Sequence, residues 1–168
     1  PGAKDVGIEF YTFSKTFNMA GWRLAFAAGN DQMIEALNLI QDHLFVGIFP
    51  ALQEAGIAAL LDPKSEEAVA QLNATYDSRR DAFVQAAAKI GWKAFPSKGS
   101  FYAWMPVPEG YTSESFADLL LEKAHVAVAP GKGFGPAGDA YVRIGLLVEP
   151  ERLVEAVDRI ANLHLFNN

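Results

Sequence analysis

A lysine and an arginine eight residues apart, Lys15 and Arg23, are the side chains of this sequence best suited to chemistry. Lys15 follows a run of aromatic and β-branched residues that predicts a strand, and Arg23 opens a second apolar run. The residues between them are too few for a crossover helix, so we expect neighbouring strands that bring both side chains to one end of a sheet. An amine can hold a carbonyl and a guanidinium can hold a phosphate, which are the two functions that a pyridoxal phosphate site needs.

Two hydroxyl side chains, Thr12 and Ser14, lie beside this lysine and can add donors to a phosphate. Apolar neighbours on both sides predict that Lys15 is partly buried. Taken singly, Lys15 is as well explained as a solvated loop lysine, and Arg23 as a surface ion-pair partner. The prediction therefore depends on the pair and its spacing.

Another arginine, Arg143, lies in the middle of a predicted strand at 141–146. Strand alternation places its side chain on the face opposite Val142 and Ile144. A cation there needs either water, at an edge strand, or a bound anion such as a carboxylate, which a guanidinium can hold with two hydrogen bonds. The residues alone leave both explanations open.

The composition limits the classes of protein to which the chain can belong. A net charge of −6, with 20 acidic against 14 basic side chains, argues against binding to nucleic acid. The absence of cysteine excludes disulfides, thiolate metal sites and a cysteine nucleophile, and the three histidines have no metal-ligand spacing, so no metal site is predicted. The longest uncharged run, 43–53, is shorter than the ~20 residues that span a bilayer, so we expect no membrane partner. The absence of cysteine fits the cytoplasmic location that we expect.

Hydrophobic periodicity predicts an α/β protein in two parts. Strands are predicted at 8–13, 24–28, 92–95, 101–105, 126–129 and 141–146. Helices are predicted from Asp31, as the N-cap, to before Gly47, then at 51–61, at about 64–90 with Gly91 as the C-terminal stop, at 113–123 and from about Pro150. Residues 133–138 match the dinucleotide-binding pattern by letter, but a strand rather than a helix follows them, which argues against that site.

The segment Ser14–Arg23, Ser-Lys-Thr-Phe-Asn-Met-Ala-Gly-Trp-Arg, resembles the pyridoxal-phosphate lysine motif of class I/II aminotransferases, which have fold type I. The resemblance implies that Lys15 forms the Schiff base with pyridoxal 5'-phosphate and shuttles the proton at the substrate α-carbon. It also implies that Arg23, Thr12 and Ser14 bind the cofactor phosphate. Thr12 stands where the family more often has serine.

Later segments extend the match. The strand around Arg143 resembles the small-domain strand of the family, whose arginine binds the substrate α-carboxylate, and this implies the same role for Arg143. Residues 96–102 resemble the glycine-aromatic segment beside the substrate, and residues 129–135 resemble the Pro-Gly-x-x-Phe-Gly loop of the family. Glycines in such loops permit turns and close approach to a ligand.

The resemblance covers essentially the whole chain but only the C-terminal part of the family's pattern. It implies that well over half of the usual protein precedes Pro1, including the aspartate that pairs with the pyridinium nitrogen. Residues 1–62 are therefore expected to be the C-terminal tail of the large cofactor-binding domain, with a sheet edge left exposed. Residues 63–168 are expected to be the connecting helix, about 64–90, and the small C-terminal α/β domain.

The function implied is that of a pyridoxal-phosphate-dependent aminotransferase, which moves an amino group from an amino acid to a 2-oxo acid by a ping-pong route through Lys15. The full-length protein is expected to be a homodimer, and this chain alone is expected to be inactive. Residues 109–113 and 116–123 look most like those of bacterial methionine-salvage-type aminotransferases. The alternatives are a pyridoxal-phosphate-dependent C–S β-lyase of the same fold, a non-catalytic binding or assembly domain, and a nucleotide-binding module, whose motif fails on its context.

Overall fold

The chain forms two compact units in the computed structural model, which describes residues 1–95 and 97–166. Pro96, the first residue of the glycine-aromatic segment, lies outside the described residues. The boundary between the two units falls between Asn73 and Ala74 of the sequence. It lies inside the longest helix, α5 (Ser65–Lys89), which the sequence predicts at about 64–90. The assignment of 1–62 and 63–168 to a large and a small domain stays a prediction.

The first unit combines a two-stranded sheet with helices. Its elements are α1 (Ala3–Val6), β1 (Ile8–Thr12), α2 (Phe13–Thr16), a 3₁₀ turn (Ala20–Trp22), β2 (Ala25–Gly29), α3 (Asp31–Ile40) with a π-helical turn (Gln41–Phe45), α4 (Pro50–Leu61) and the start of α5. The two strands pair antiparallel, from Ile8 opposite Gly29 to Thr12 opposite Ala25. The short connection between them thus forms a hairpin, and the prediction of neighbouring strands is confirmed.

The first turn of α3 differs from the prediction. Asn30, and not Asp31, is the N-cap, since the Asn30 side chain accepts a hydrogen bond from the Met33 amide at 3.1 Å. Asp31 is instead the first helical residue, where its carboxylate complements the partial positive charge of the helix N-terminus. Both residue types suit a helix start, so sequence alone placed the cap one residue late.

Buried side chains are few in the first unit. The large apolar side chains buried there are Phe13 and Leu24, which lie at the end of the hairpin where the chain leaves β1 and enters β2. Gly56 of α4 packs against both, because a β-carbon at Gly56 would lie 2.8 Å from Leu24 Cδ2 and 3.4 Å from Phe13 Cζ. Helix α4 therefore packs against this end of the hairpin.

The second unit is a three-stranded antiparallel sheet packed on helices. After α5 its elements are β3 (Tyr102–Pro106), α6 (Ser113–Leu119) with a π-helical turn (Leu120–Ala124), β4 (Ala129–Pro130), two 3₁₀ turns (Gly131–Phe134 and Pro136–Ala140), β5 (Tyr141–Gly145) and α7 (Pro150–Ala161). The strand order β3–β5–β4 places β5 in the middle. The apolar core lies in this unit, and its members include Phe83, Met105, Phe116, Val142 and Val157.

One predicted strand is wrong, and another is shorter than predicted. Residues 92–95 form no strand, because the Trp92 indole turns into the core and its Nε1 donates to the Pro106 carbonyl at 2.7 Å. Of the strand predicted at 126–129, β4 retains its last residue and Pro130. The stop at Gly91 is confirmed, since this residue has a left-handed backbone with φ of 82°. Among the described residues, no helix is both long and apolar enough to cross a membrane.

Candidate functional site

The β1–β2 hairpin brings Lys15 and Arg23 to the same end of the two-stranded sheet. β1 ends at Thr12, and the Phe13 amide still donates to the Leu24 carbonyl at 3.2 Å. Lys15 lies in α2, directly after β1, and Arg23 lies two residues before β2 begins. An amine-bearing and a guanidinium-bearing residue therefore share one end of the hairpin, whereas their roles stay predictions.

Thr12 and Ser14 form a hydrogen-bonded pair beside Lys15. The Thr12 hydroxyl accepts a hydrogen bond from the Ser14 amide at 3.2 Å and donates one to Ser14 Oγ at 2.9 Å. The first of these bonds caps the start of α2. Ser14 Oγ accepts the hydrogen bond from the Thr12 hydroxyl, so its own O–H group remains a donor. No described residue accepts the Ser14 hydroxyl proton, which leaves it available to an anion.

The loop between α2 and β2 contains two non-glycine residues with left-handed backbones, Asn18 with φ of 54° and Arg23 with φ of 53°. Asparagine tolerates this conformation, whereas for arginine it costs on the order of 1 kcal/mol. The Met19 amide donates to the Phe13 carbonyl at 3.3 Å, and the Arg23 guanidinium donates to the Ala20 carbonyl, also at 3.3 Å. The fold thus holds Arg23 in a conformation that its side chain disfavours, as functional sites often do.

The partial burial predicted for Lys15 is wrong, since its side chain is exposed in the structure. Helix α2 is a single turn, in which residues two apart point about 200° away from each other. Phe13 points into the packing with Leu24 and Gly56, so Lys15 is turned toward solvent. The apolar neighbours of Lys15 in sequence therefore fix its backbone rather than cover its amine.

Arg143 occupies the middle strand of the second unit, so its explanation as an edge-strand residue fails. Val142 and Ile144 are buried, and Arg143 is half-buried on the other face. Its guanidinium carbon lies 4.1 Å from the centre of the Tyr102 ring and 4.2 Å from that of Phe134, in cation–π contact with both. Within residues 1–95 and 97–166, no carboxylate, carbonyl or hydroxyl accepts from this guanidinium, so its N–H groups are available to an anion.

A groove of about 450 Å³ lies against Arg143. It is lined by Tyr102, Ala127, Val128, Ala129, Arg143, Gly145 and Leu147. One cation among mostly small and apolar side chains suits a small molecule that carries a carboxylate and little other charge.

Sequence reasoning missed the aromatic partners of Arg143 and a buried polar cluster in the same unit. The register of β3 against β5 places Trp104 opposite Arg143 and Tyr102 on the same face, a contact that cross-strand pairing could have indicated. In the polar cluster, Ser113 Oγ donates to Asp139 Oδ1 at 2.8 Å. This hydrogen bond is the main cause that lowers the pKa of Asp139 below its usual value. Ser113 and Asp139 are 26 residues apart in the sequence, so no local sequence pattern indicates this contact.

The family model for aminotransferase class I and II matches residues 2–160 of this chain. The chain belongs to this family. Residues 133–138, which match the dinucleotide pattern by letter, lie in the two 3₁₀ turns and lead into β5, the strand that the sequence predicts after them.

Curated relatives are aminotransferases. The chain is 61% identical over 165 residues to L-glutamine–4-(methylsulfanyl)-2-oxobutanoate aminotransferase of Bacillus subtilis, a match that covers 98% of this chain and 41% of that protein. It is 48% identical over 160 residues to LL-diaminopimelate aminotransferase of Moorella thermoacetica, covering 95% and 40%. The chain thus spans about two fifths of the length of the relatives it matches, which agrees with the prediction that the resemblance covers only part of the family's pattern.

Solved aminotransferases share the fold. Apo-BacF of Bacillus subtilis superposes with a TM-score of 0.90 at 48% identity, over 98% of this chain and 42% of that one. An aminotransferase of Staphylococcus aureus superposes with a TM-score of 0.86 at 41% identity, over 99% and 44%. The predicted α/β class and fold type I are therefore confirmed.

Proposed function

We propose that this chain is the part of a pyridoxal-phosphate-dependent aminotransferase that carries the cofactor lysine and the arginine for the substrate carboxylate. The observation that supports it most is the group of donors at the hairpin end: a primary amine, a guanidinium and two hydroxyls within residues 12–23 of a chain of this family. Because the chain spans about 41% of its relative's length, we assign the activity to the whole protein and expect no turnover from this chain alone.

The donor chemistry fits pyridoxal 5'-phosphate. An aldehyde takes a primary amine, and a phosphate dianion takes a guanidinium and hydroxyl protons. Lys15 would hold the aldehyde end, and Arg23 and Ser14 would hold the phosphate, while Thr12 orients the Ser14 hydroxyl through their 2.9 Å hydrogen bond. When bound, the cofactor supplies an electron sink for negative charge at the substrate α-carbon.

Lys15 has a second task at the substrate. Once the substrate amine has replaced the Lys15 amine at the aldehyde carbon, the Lys15 amine would take the proton from the substrate α-carbon as a general base and deliver it to the former aldehyde carbon as a general acid. Accurate placement of that amine requires a fixed backbone, and the burial of Phe13 against Leu24 and Gly56 provides it.

Arg143 would bind the substrate α-carboxylate with two parallel N–H···O hydrogen bonds. The rings of Tyr102 and Phe134 cover the guanidinium without using its N–H groups. This contact orients the guanidinium and leaves its hydrogen-bonding edge for the ligand, which is the arrangement that a planar carboxylate needs.

Amino acids and 2-oxo acids are the substrate classes that the relatives support. The 61% identity to the Bacillus subtilis enzyme makes glutamine and 4-(methylsulfanyl)-2-oxobutanoate the first pair to test, in line with the resemblance to methionine-salvage-type enzymes. We further propose that the whole protein is a homodimer.

Reductive labelling tests the role of Lys15. The chain is titrated with pyridoxal 5'-phosphate, reduced with borohydride and mapped by peptide mass spectrometry, beside Lys15→Ala and a matched variant of another exposed lysine of the first unit, Lys4→Ala. We expect saturable label at Lys15 that Lys4→Ala retains and Lys15→Ala loses. Label spread evenly over exposed lysines would refute the proposed role. Amino transfer by the isolated chain above the level of Lys15→Ala would refute the need for residues outside it.

A further inference from the structure

We propose that Ser113 and Asp139 are positioning residues for Arg143: they fix the segment 131–140, which holds the Phe134 ring against the Arg143 guanidinium. The structural half of this inference stands on contacts within the second unit. Its consequence for substrate binding rests on the carboxylate-binding role proposed for Arg143.

Ser113 is the buried polar side chain of the described chain, with no exposed surface. Its hydroxyl donates to Asp139 Oδ1 at 2.8 Å and accepts from the Lys132 amide at 3.2 Å, and its own amide donates to Asp139 Oδ1 at 3.2 Å. All three hydrogen bonds join the first turn of α6 to the segment 131–140, at Lys132 near the start of the segment and at Asp139 near its end. The desolvated hydroxyl thus connects that segment to the helix.

The backbone of the segment is closed tightly on itself. A β-carbon at Gly131 would lie 2.2 Å from the Gly138 carbonyl oxygen and 2.5 Å from that of Tyr141. A β-carbon at Gly138 would lie 2.1 Å from the Gly131 carbonyl oxygen. The two 3₁₀ turns therefore dock against each other through glycine backbones, with Ser113 beside the contact.

Phe134 connects this docked segment to Arg143. Its ring is 53% exposed, so packing alone holds it weakly. The ring contacts the guanidinium of Arg143 at 4.2 Å and meets Trp104 edge-on, with ring centres 5.8 Å apart. Phe134 is the last residue of the 3₁₀ turn that begins at Gly131, and the Lys132 amide of this turn donates a hydrogen bond to Ser113. The position of the Phe134 ring therefore depends on the backbone that Ser113 holds.

Loss of the Ser113 hydroxyl would leave the Lys132 amide unbonded and deprive Asp139 of one of its two donors. The segment would then loosen, and the Phe134 ring would leave the guanidinium for part of the time. Ser115 offers a matched control on the same helix turn. It forms the capping box with Thr112, and its contacts do not reach the segment 131–140.

The test reads the environment of Arg143 directly. Protons over the face of an aromatic ring are shifted upfield, so the δ-methylene protons of Arg143 report by NMR on the nearby rings in the full 168-residue chain, with Phe134→Leu defining the shift without this ring. We expect Ser113→Ala and Asp139→Ala, which removes the acceptor oxygen, to move the Arg143 signals toward those of Phe134→Leu, and Ser115→Ala to leave them in place. Amide shifts of Val142 and Ile144 check that β5 is intact.

Unchanged Arg143 signals in Asp139→Ala, with β5 intact, would overturn the proposal, and this variant decides the matter if Ser113→Ala does not fold. A titration with 2-oxobutanoate adds the functional consequence. We expect the affinity to fall about threefold to tenfold in Asp139→Ala, as for loss of a cation–π contact, and unchanged affinity despite moved signals would overturn the consequence for binding. Absence of binding by the unmodified chain would count against Arg143 as a carboxylate site and not against its connection to Ser113.

Discussion

Asp139 is an acidic side chain of the second unit whose charged form the fold stabilises. Its carboxylate accepts from the hydroxyl and the amide of Ser113, and both bonds favour the charged form. They lower the pKa of Asp139, with a smaller contribution from the nearby Lys132 ammonium, against the opposing effect of desolvation. A carboxyl whose pKa is lower in the folded state stabilises the fold above its unfolded pKa, and this stabilisation is lost as the pH falls through the folded pKa.

We therefore predict that Asp139→Asn lowers the stability of the chain at neutral pH and that the difference from the unmodified chain shrinks in acid. Urea denaturation of both proteins at about pH 6 and about pH 3, on either side of the usual Asp range, measures this difference. Because all other carboxyls are common to the two proteins, their titration cancels. A difference of the same size at both pH values would show that the charge of Asp139 does not stabilise the fold.

The residues of the candidate site differ in how far sequence predicts them. Lys15, Arg23, Thr12 and Ser14 lie within one short segment, so spacing alone brings them to one hairpin end. The exposure of Lys15 was not predictable, because it depends on which face of a one-turn helix meets α4. Contacts between distant segments, such as those of Ser113, depend on the path of the whole unit.

At the scale of elements, the two 3₁₀ turns at 131–134 and 136–140 approach each other closely through their backbones. Gly131 and Gly138 permit this approach, because any side chain there would overlap a backbone carbonyl. Gly133 lies in the same turn but faces open space, with no atom within 4 Å of a β-carbon built on it. Close packing therefore requires glycine at positions 131 and 138 but not at position 133.

We predict that Gly131→Ala destabilises the chain by about 2 kcal/mol or more, because neither carbonyl can move without breaking the docked turns. Gly133→Ala should change the stability by only about 0.5 kcal/mol, as for an ordinary surface substitution. Chemical denaturation of the two variants checks both values. Equal effects would mean that the turns are not closely docked.

Elements marked by proline, glycine or long apolar periodicity proved easier to predict than short apolar runs. Helices α4 and α5 and strand β5 begin and end within about one residue of their predicted positions, because proline, glycine and apolar periodicity mark them. The segment at 92–95 has the composition of a strand but is used to bury Trp92, since tertiary packing decides the fate of short apolar runs.

At the scale of the whole molecule, burial is distributed unequally between the two units. The apolar core cluster lies in the second unit, whereas the first unit exposes many large apolar side chains, among them Phe10, Leu44, Val46, Phe49 and Leu61. A two-stranded hairpin with little burial is marginally stable in water. The first unit is therefore the less stable part of the isolated chain.

We predict that hydrogen-bonded amides of β1 and β2 exchange with deuterium about tenfold faster, or more, than those of β5 and α7. Hydrogen exchange followed by NMR or by mass spectrometry of peptides from 8–29 and 141–161 measures the difference. Since the peptides come from one sample, no other protein is needed for comparison. Equal protection in both units would contradict the unequal distribution of burial.

We propose above that the hairpin end binds an aldehyde and a phosphate together, through Lys15 on one side and Arg23 and Ser14 on the other. The most direct measurement compares the labelling of Lys15 by pyridoxal 5'-phosphate and by pyridoxal, which lacks the phosphate, over a range of concentrations with borohydride reduction. We expect the phosphorylated form to saturate Lys15 at a concentration at least about tenfold lower, as charge-assisted hydrogen bonds require, and we expect Arg23→Gln to remove the difference. Equal labelling of Lys15 by both aldehydes would contradict the proposal.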